Sequence, residues 1–271
     1  MKMSLTLITL LLFLTESNFA AENDPNARAK TPDVQTIVDK ANLMAYYQGN
    51  DGKAKVSMVI TNKQGQVRNR EFIIIRKDIL DGGDQNYFVY FLRPADVRRM
   101  VFMVHKHTAP GTDDDRWLYL PSLDLVRRIA ASDKRTSFVG SDFLYEDVSG
   151  RNLWEDTHEL VQTTDKFYVV KNVPKNSDSV EFSYYNVYID KQNFMPVKME
   201  YYDKQNKLYR TIEALKIETI QGYPTVTKSL VSDFNTGSKT EMEFSDIKYN
   251  IGIGDIFEER YLRRPPQEIL R

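Results

Sequence analysis

Three histidines, His105, His107 and His158, are all the chain has for imidazole chemistry. On a strand His105 and His107 would point to one face, two residues apart, and the acidic triplet Asp113, Asp114 and Asp115 follows across a turn, so a divalent-cation site can be drawn. No further histidine falls nearby, and acidic triplets are common in loops. The plainer reading is an exposed strand end, and neither metal nor cofactor is expected. Ser141 and Asp142 with His158 supply a nucleophile, an acid and a base, yet the G-x-S-x-G elbow that would expose such a serine is absent. Ser141 reads better as a helix N-cap. The chain has no cysteine, which excludes thiol chemistry. Neither G-x-G-x-x-G nor a P-loop occurs, and Gly82-Gly83 between Asp81 and Asp84 is a hairpin turn. These residues motivate no enzyme.

The densest grouping of aromatic, arginine and carboxylate side chains is residues 113–150. Residues 116–120 alternate as a strand does, with Trp117 and Tyr119 on one face and Leu118 and Leu120 on the other. Pro121 has no amide proton for a ladder and ends the run, and residues 125–129 form the returning strand. Residues 141–148 predict a helix of a turn or two, with Ser141 as N-cap and Gly150 as stop. A plain core of Trp117, Phe138, Phe143 and Tyr145, edged by Arg127 and Arg128 paired to Asp142, Glu146 or Asp147, accounts for this stretch equally well.

The ordered elements Trp117-Leu118-Tyr119-Leu120-Pro121, then Arg127-Arg128-Ile129, then Phe138-Val139-Gly140-Ser141-Asp142-Phe143 with Tyr145-Glu146-Asp147, resemble a branch of the LolA-like periplasmic proteins, the outer-membrane lipoprotein-sorting family. The resemblance extends over residues 31–264, and the archetypal carrier lacks the first and last of these stretches. It implies a mainly β (α+β) fold: an incomplete, strongly curved antiparallel β-barrel, with an N-terminal helix and a short helical element closing an apolar cavity. It implies a soluble periplasmic carrier that binds a lipid or the acyl chains of a lipoprotein and passes it between membrane partners. An inner-membrane transporter, with RND-type exporters as candidates, and an outer-membrane acceptor are the implied partners. Within that reading Met100, Phe102, Trp117, Tyr119, Phe138 and Phe143 are candidates to line the cavity. Arg127, Arg128, Asp142 and Asp147 are candidates for its rim or latch. The alternative is a periplasmic adaptor with a filled core, which binds an exporter by its surface and carries no lipid.

The remaining chain must position these residues. Lys2, the apolar run 5–14 and Asn18-Phe19-Ala20-Ala21 read as a secretory signal peptide over residues 1–20, too short to span a membrane. With no cysteine to acylate, the mature protein is expected to be soluble and not lipid-anchored. The absence of disulfides in an exported chain leaves burial and sheet hydrogen bonds to hold the fold. Basic and acidic residues balance, 37 against 38, with no long block of either sign, so nucleic-acid binding is not supported. A polar linker, residues 21–30, precedes the strongest helix signal. Thr31 serves as N-cap, Pro32 opens the helix, Val34, Ile37, Val38, Ala41, Met44 and Ala45 form one stripe, and Gly49 and Gly52 stop it. This helix, residues 31–48, is the candidate lid. From Lys53 onward, turn residues at 62–66, 81–84, 190–193, 203–206 and 235–238 divide a meander of strands. Residues 87–92 and 100–104 are apolar on both faces, so something must cover each side. A sheet curved around a helix and a lipid-sized space fits this pattern, and so does a β-sandwich. The end of the chain, 265–271, reads as a tail; the basic residues Arg260, Arg263, Arg264 and Arg271 suit contact with a membrane surface or a partner, and the plainer reading is a solvated end.

Overall fold

Asn, Asp and Gly at the expected turns do break the chain into antiparallel hairpins. In the computed structural model, which describes residues 31–267, these build thirteen strands. They are β1 (Asp51–Thr61), β2 (Val67–Asp78), β3 (Gln85–Arg93), β4 (Val101–Lys106), β5 (Asp115–Leu120), β6 (Leu125–Arg128) and β7 (Asp156–Thr163), followed by β8 (Phe167–Pro174), β9 (Phe182–Asp190), β10 (Pro196–Asp203), β11 (Leu208–Ile220), β12 (Tyr223–Asp233) and β13 (Ser238–Tyr249). Three short helices accompany them: α1 (Val34–Tyr46), α2 (Tyr145–Ser149) and α3 (Arg260–Arg263). The signal peptide and linker expected over residues 1–30, and residues 268–271 of the tail, lie outside the described residues.

All thirteen strands belong to one sheet in the order β6-β5-β4-β3-β2-β1-β13-β12-β11-β10-β9-β8-β7. Two meanders thus run outward from a central seam where β1 pairs β13, with Val56 opposite Phe244 and Met58 opposite Met242. The outermost strands, β6 and β7, do not pair with each other, so the sheet is open. Its curvature is strong. Val89 of β3 and Met199 of β10 line one cavity, although six strand-to-strand steps separate those strands, about 29 Å in a flat sheet at about 4.8 Å per step.

The two free edges are joined by residues 129–155, which cross the concave face. Over β1–β4 this crossover packs Phe138, Phe143 and Tyr145 onto Phe72, Phe91 and Phe102. Over β8–β11 the helix α1 supplies the cover, with Ile37, Val38 and Ala41 against Val170, Phe182, Val187 and Tyr201. The convex side of β3–β5 is sealed by the end of the chain: Ile256, Phe257 and Leu262 bury Phe88, Val101, Met103 and Tyr119. This segment answers the two-faced apolar pattern of β3 and β4. The arginines of this end, Arg260, Arg263 and Arg264, are exposed, whereas Leu262 between them is fully buried and Arg263 reaches back to Asp124 at 3.0 Å.

Two cap assignments change. The N-cap of α1 is Asp33 rather than Thr31; its Oδ1 accepts from the Thr36 amide and its Oδ2 from the Thr36 hydroxyl. A carboxylate two residues further on competes for the same free amides and also suits the positive helix end. The second helix begins at Tyr145, with Asp147 accepting from the Leu144 amide at 2.7 Å, and Gly150 ends it as expected. Ser141 lies upstream of it.

Candidate functional site: a partitioned apolar cavity

The site begins with the crossover loop. Phe138 and Phe143 face each other across a tight turn, the Phe138 amide donating to the Phe143 carbonyl at 2.7 Å. Val139 and Gly140 both have positive φ, 51° and 75°. Glycine takes that conformation freely, but a β-branched residue there is strained, and surrounding contacts must hold it. Ser141 is one of them: its hydroxyl donates to the Phe138 carbonyl at 2.7 Å. Asp142 is another, accepting from Thr240 at 2.6 Å and from Ser238, both on β13. The turn therefore drives both phenylalanines inward. Phe138 sits among Phe72, Phe91, Phe102 and Tyr145 with ring centroids 5.4–6.2 Å apart.

Beside this cluster lies a cavity of about 340 Å³, lined by Phe72, Ile74, Val89, Phe138, Phe143, Met199, Met242 and Phe244, with Ala45 and Tyr46 of α1 on one wall. A second cavity of about 170 Å³ lies under α1, bounded by Val38, Ala41, Val170, Val187, Tyr201 and Ile212. Ala45, Tyr46, Phe143, Asp147, Pro196 and Met199 border both. Tyr46 fits against the crossover because residue 150 is glycine: a Cβ there would fall 2.5 Å from Tyr46 Cζ. Here the glycine does more than stop a helix.

Charges tie the crossover down. Glu146, nearly inaccessible, is met by Arg135, by Arg151 at 3.2 Å and by Lys134 at 3.6 Å. Arg135 also grips Glu181, and Arg151 pairs with Glu155 and Asp156. Burial alone would raise the Glu146 pKa, but Arg135, Arg151 and Lys134 outweigh it and hold it at about 2. Asp147 pairs with buried Arg210 of β11. The expected pairing of Arg127 and Arg128 with these carboxylates does not form. Instead both project from the edge strand β6, Arg127 toward Asp133 and Arg128 toward Asp115 and over the Trp117 ring.

Of the six expected lining residues, Phe138 and Phe143 border the cavity, and Phe102 and Met100 pack behind them on the concave side. Trp117 and Tyr119 lie on the convex face, in the cluster sealed by the end of the chain. Both faces of β5 are apolar, so alternation could not say which turns inward. Of the rim residues, Asp142 and Asp147 bind the crossover to β13 and β11, whereas Arg127 and Arg128 stand apart from them. The histidines have structural partners. His105 meets the Phe257 carbonyl at 2.7 Å, His107 bridges Asp84 and Asp115, and His158 contacts Asn172 and the Leu153 carbonyl. Among the described residues no group of three or more metal-ligating side chains could hold an ion.

An open sheet, curled so far that strands from opposite wings share an apolar chamber and roofed by one helix and a crossover, defines a LolA-like protein. A family profile described as "Uncharacterized protein" matches residues 83–264. A DUF1329 family protein from Desulfovibrio piger superposes with a TM-score of 0.76 at 31% identity, covering 86% of this chain and 100% of its own. A domain from Vibrio parahaemolyticus assigned to outer-membrane lipoprotein sorting gives 0.76 at 25% identity, covering 85% and 98%. A LolA superfamily protein from Nitrosomonas europaea shares the fold, with a TM-score of 0.64 at 19% identity, over 85% and 99%. Comparison with curated proteins returned no match. The chain belongs to the DUF1329 family, and its fold is that of the LolA superfamily. No helix among the described residues is long and apolar enough to cross a membrane.

Proposed function

We propose that the protein is a soluble periplasmic carrier, which holds a lipid or the acyl chains of a lipoprotein in the concave cavity and passes it between membranes. The observation that carries this reading is the cavity itself: about 340 Å³ with a mainly apolar wall, bordered also by Gln48, Lys53, Arg76 and Asp147. Each buried CH₂ contributes about 0.8 kcal/mol, so a 16-carbon chain exposed to water would cost about 12 kcal/mol, and a dry chamber removes most of that. The donor would be an inner-membrane transporter, RND-type by family resemblance, and the receiver an outer-membrane acceptor. The crossover and α1 form the lid, latched by Arg210–Asp147 and by Asp142 on Thr240.

Mass spectrometry of organic extracts from protein purified without detergent tests the proposal. A stoichiometric acyl lipid is expected from the wild type and from Trp117→Ala, whose side chain lies on the convex face. Phe143→Ala, folded by circular dichroism, is expected to lose it. Protein that stays empty after incubation with membranes would favour the surface-binding adaptor instead.

A further inference from the structure

One end of the sheet carries an exposed patch that the cavity does not use. The β5–β6 turn and the β3–β4 loop, residues 94–99, lie at the same sheet end, because successive turns of an antiparallel meander alternate between its two ends. Pro121–Leu123 forms a single 3-10 turn, followed by Asp124 in the left-handed region with φ 44°. The Asp124 carboxylate accepts from the Tyr119 hydroxyl at 3.2 Å and from Arg263 Nε at 3.0 Å. The turn is thereby pinned to β5 and to α3, and its leucines stay outside. Leu123 is 68% exposed, the highest value for a large apolar side chain among the described residues, and Leu125 is 45% exposed.

The charge beside these leucines is one-sided. Burial and the bond to Asp124 raise the Tyr119 pKa, and Arg99 and Arg263 lie near enough to oppose the shift. Arg98, Arg99 and Arg264 are exposed, and none has an ion-pair partner among the described residues. Of the carboxylates in these segments, Asp96 is paired with Arg70, Asp124 with Arg263 and Glu258 with Arg260, which leaves Glu259. Leu80 is almost as exposed, at 62%, but it stands beside Asp81, a carboxylate with no ion-pair partner among the described residues. Only at the β5–β6 turn, therefore, do an uncovered apolar tip and unpaired guanidiniums coincide. Water answers neither. An anionic bilayer answers both, since its phosphates take the guanidiniums and the acyl boundary beneath them takes the leucines. We infer that this end of the sheet is a docking surface for an anionic lipid bilayer, with Leu123 and Leu125 entering the headgroup–acyl boundary and Arg98, Arg99 and Arg264 meeting lipid phosphates. The surface acts whatever the cavity holds.

Purified protein is mixed at low ionic strength with vesicles of phosphatidylethanolamine and phosphatidylglycerol, or of phosphatidylcholine alone, and the bound fraction is read by flotation. The wild type is expected to bind the anionic vesicles, to bind phosphatidylcholine about a hundredfold more weakly, and to release as salt rises. Combining Arg98→Gln with Arg99→Gln is expected to lower the partition coefficient about 25-fold, about fivefold per arginine, and Arg264→Gln about fivefold. Leu123→Gln is expected to lower it about fivefold through lost apolar burial, an effect that persists in salt. Leu80→Gln, at the opposite end of the sheet, is expected to change nothing. All five side chains are exposed, so each variant should keep its fold, which circular dichroism checks. The inference is overturned if the wild type does not float with anionic vesicles, in which case the patch fits an acidic protein instead, or if phosphatidylcholine is bound equally well. It is also overturned if either the arginine or the leucine substitutions leave binding unchanged, or if Leu80→Gln weakens it as much as Leu123→Gln.

Discussion

Replacing Glu146 with glutamine removes one negative charge from the centre of Arg135, Arg151 and Lys134 while keeping shape and volume. The carboxyl has a pKa of about 2 in the folded protein against an ordinary 4.5, and 1.36 kcal/mol per unit makes this about 3 kcal/mol of stabilisation. Because the folded value is depressed, that contribution is complete above pH 4.5 and disappears as pH falls through about 2. Urea unfolding followed by the fluorescence of Trp117 and Trp154 measures stability for both proteins across this range, given two-state behaviour. All other carboxylates are common to the two proteins, so their difference isolates this group. At neutral pH the Glu146→Gln variant should be less stable by at least about 3 kcal/mol, and the gap should shrink by about that amount near pH 2. A gap that stays constant across the range would refute the assignment of Glu146 as the charge that anchors the crossover.

Further outcomes follow from other contacts. Arg210→Met leaves the Asp147 carboxylate without its cation and should lower hydrogen-exchange protection across residues 142–149, with the β1–β13 seam still protected. Gly150→Ala should displace Tyr46 and cost about 2 kcal/mol or more, since it combines a left-handed φ with a steric clash; thermal unfolding measures it. Leu262→Ala, fully buried on the convex face, should cost about 3 kcal/mol in urea unfolding. At His107, partial burial opposes the charge, but hydrogen bonds to Asp115 and Asp84 prevail and raise its pKa. Its contribution is therefore present below pH 6.5 and lost as pH rises through the raised value; an NMR titration of the ring should give a midpoint above 6.5.

Turn chemistry made most of the sheet legible. Asn62, Asp81, Asp190, Asp203 and Asn235 mark five hairpins the structure contains. The stripe Ile37, Val38, Ala41 was equally readable, because a 3.6-residue period has one physical interpretation. What sequence could not convey is which partner a residue meets across the fold. Arg135 finds Glu181 and Arg210 finds Asp147, separated by 46 and 63 positions, and no local pattern announces either pair. Trp117 and Tyr119 failed for a related reason. Apolar residues on both faces of a strand reveal that two layers exist, but the identity of each layer depends on the crossover and on a C-terminal segment with no periodicity of its own.

The central seam has a consequence for how the molecule is made. Within each wing, strand neighbours are joined by short hairpins and can zip locally. The wings meet only when Gly52 finds Tyr249, roughly 200 residues later, a contact whose loop-closure entropy must be met before it returns any stability. Until then neither wing has its concave side covered from both directions, and apolar strand faces stand open to neighbouring chains. The shared chamber is thus among the last features to form, and substitutions at the seam, such as Met58 or Met242, should slow folding and promote aggregation more than their effect on final stability would suggest.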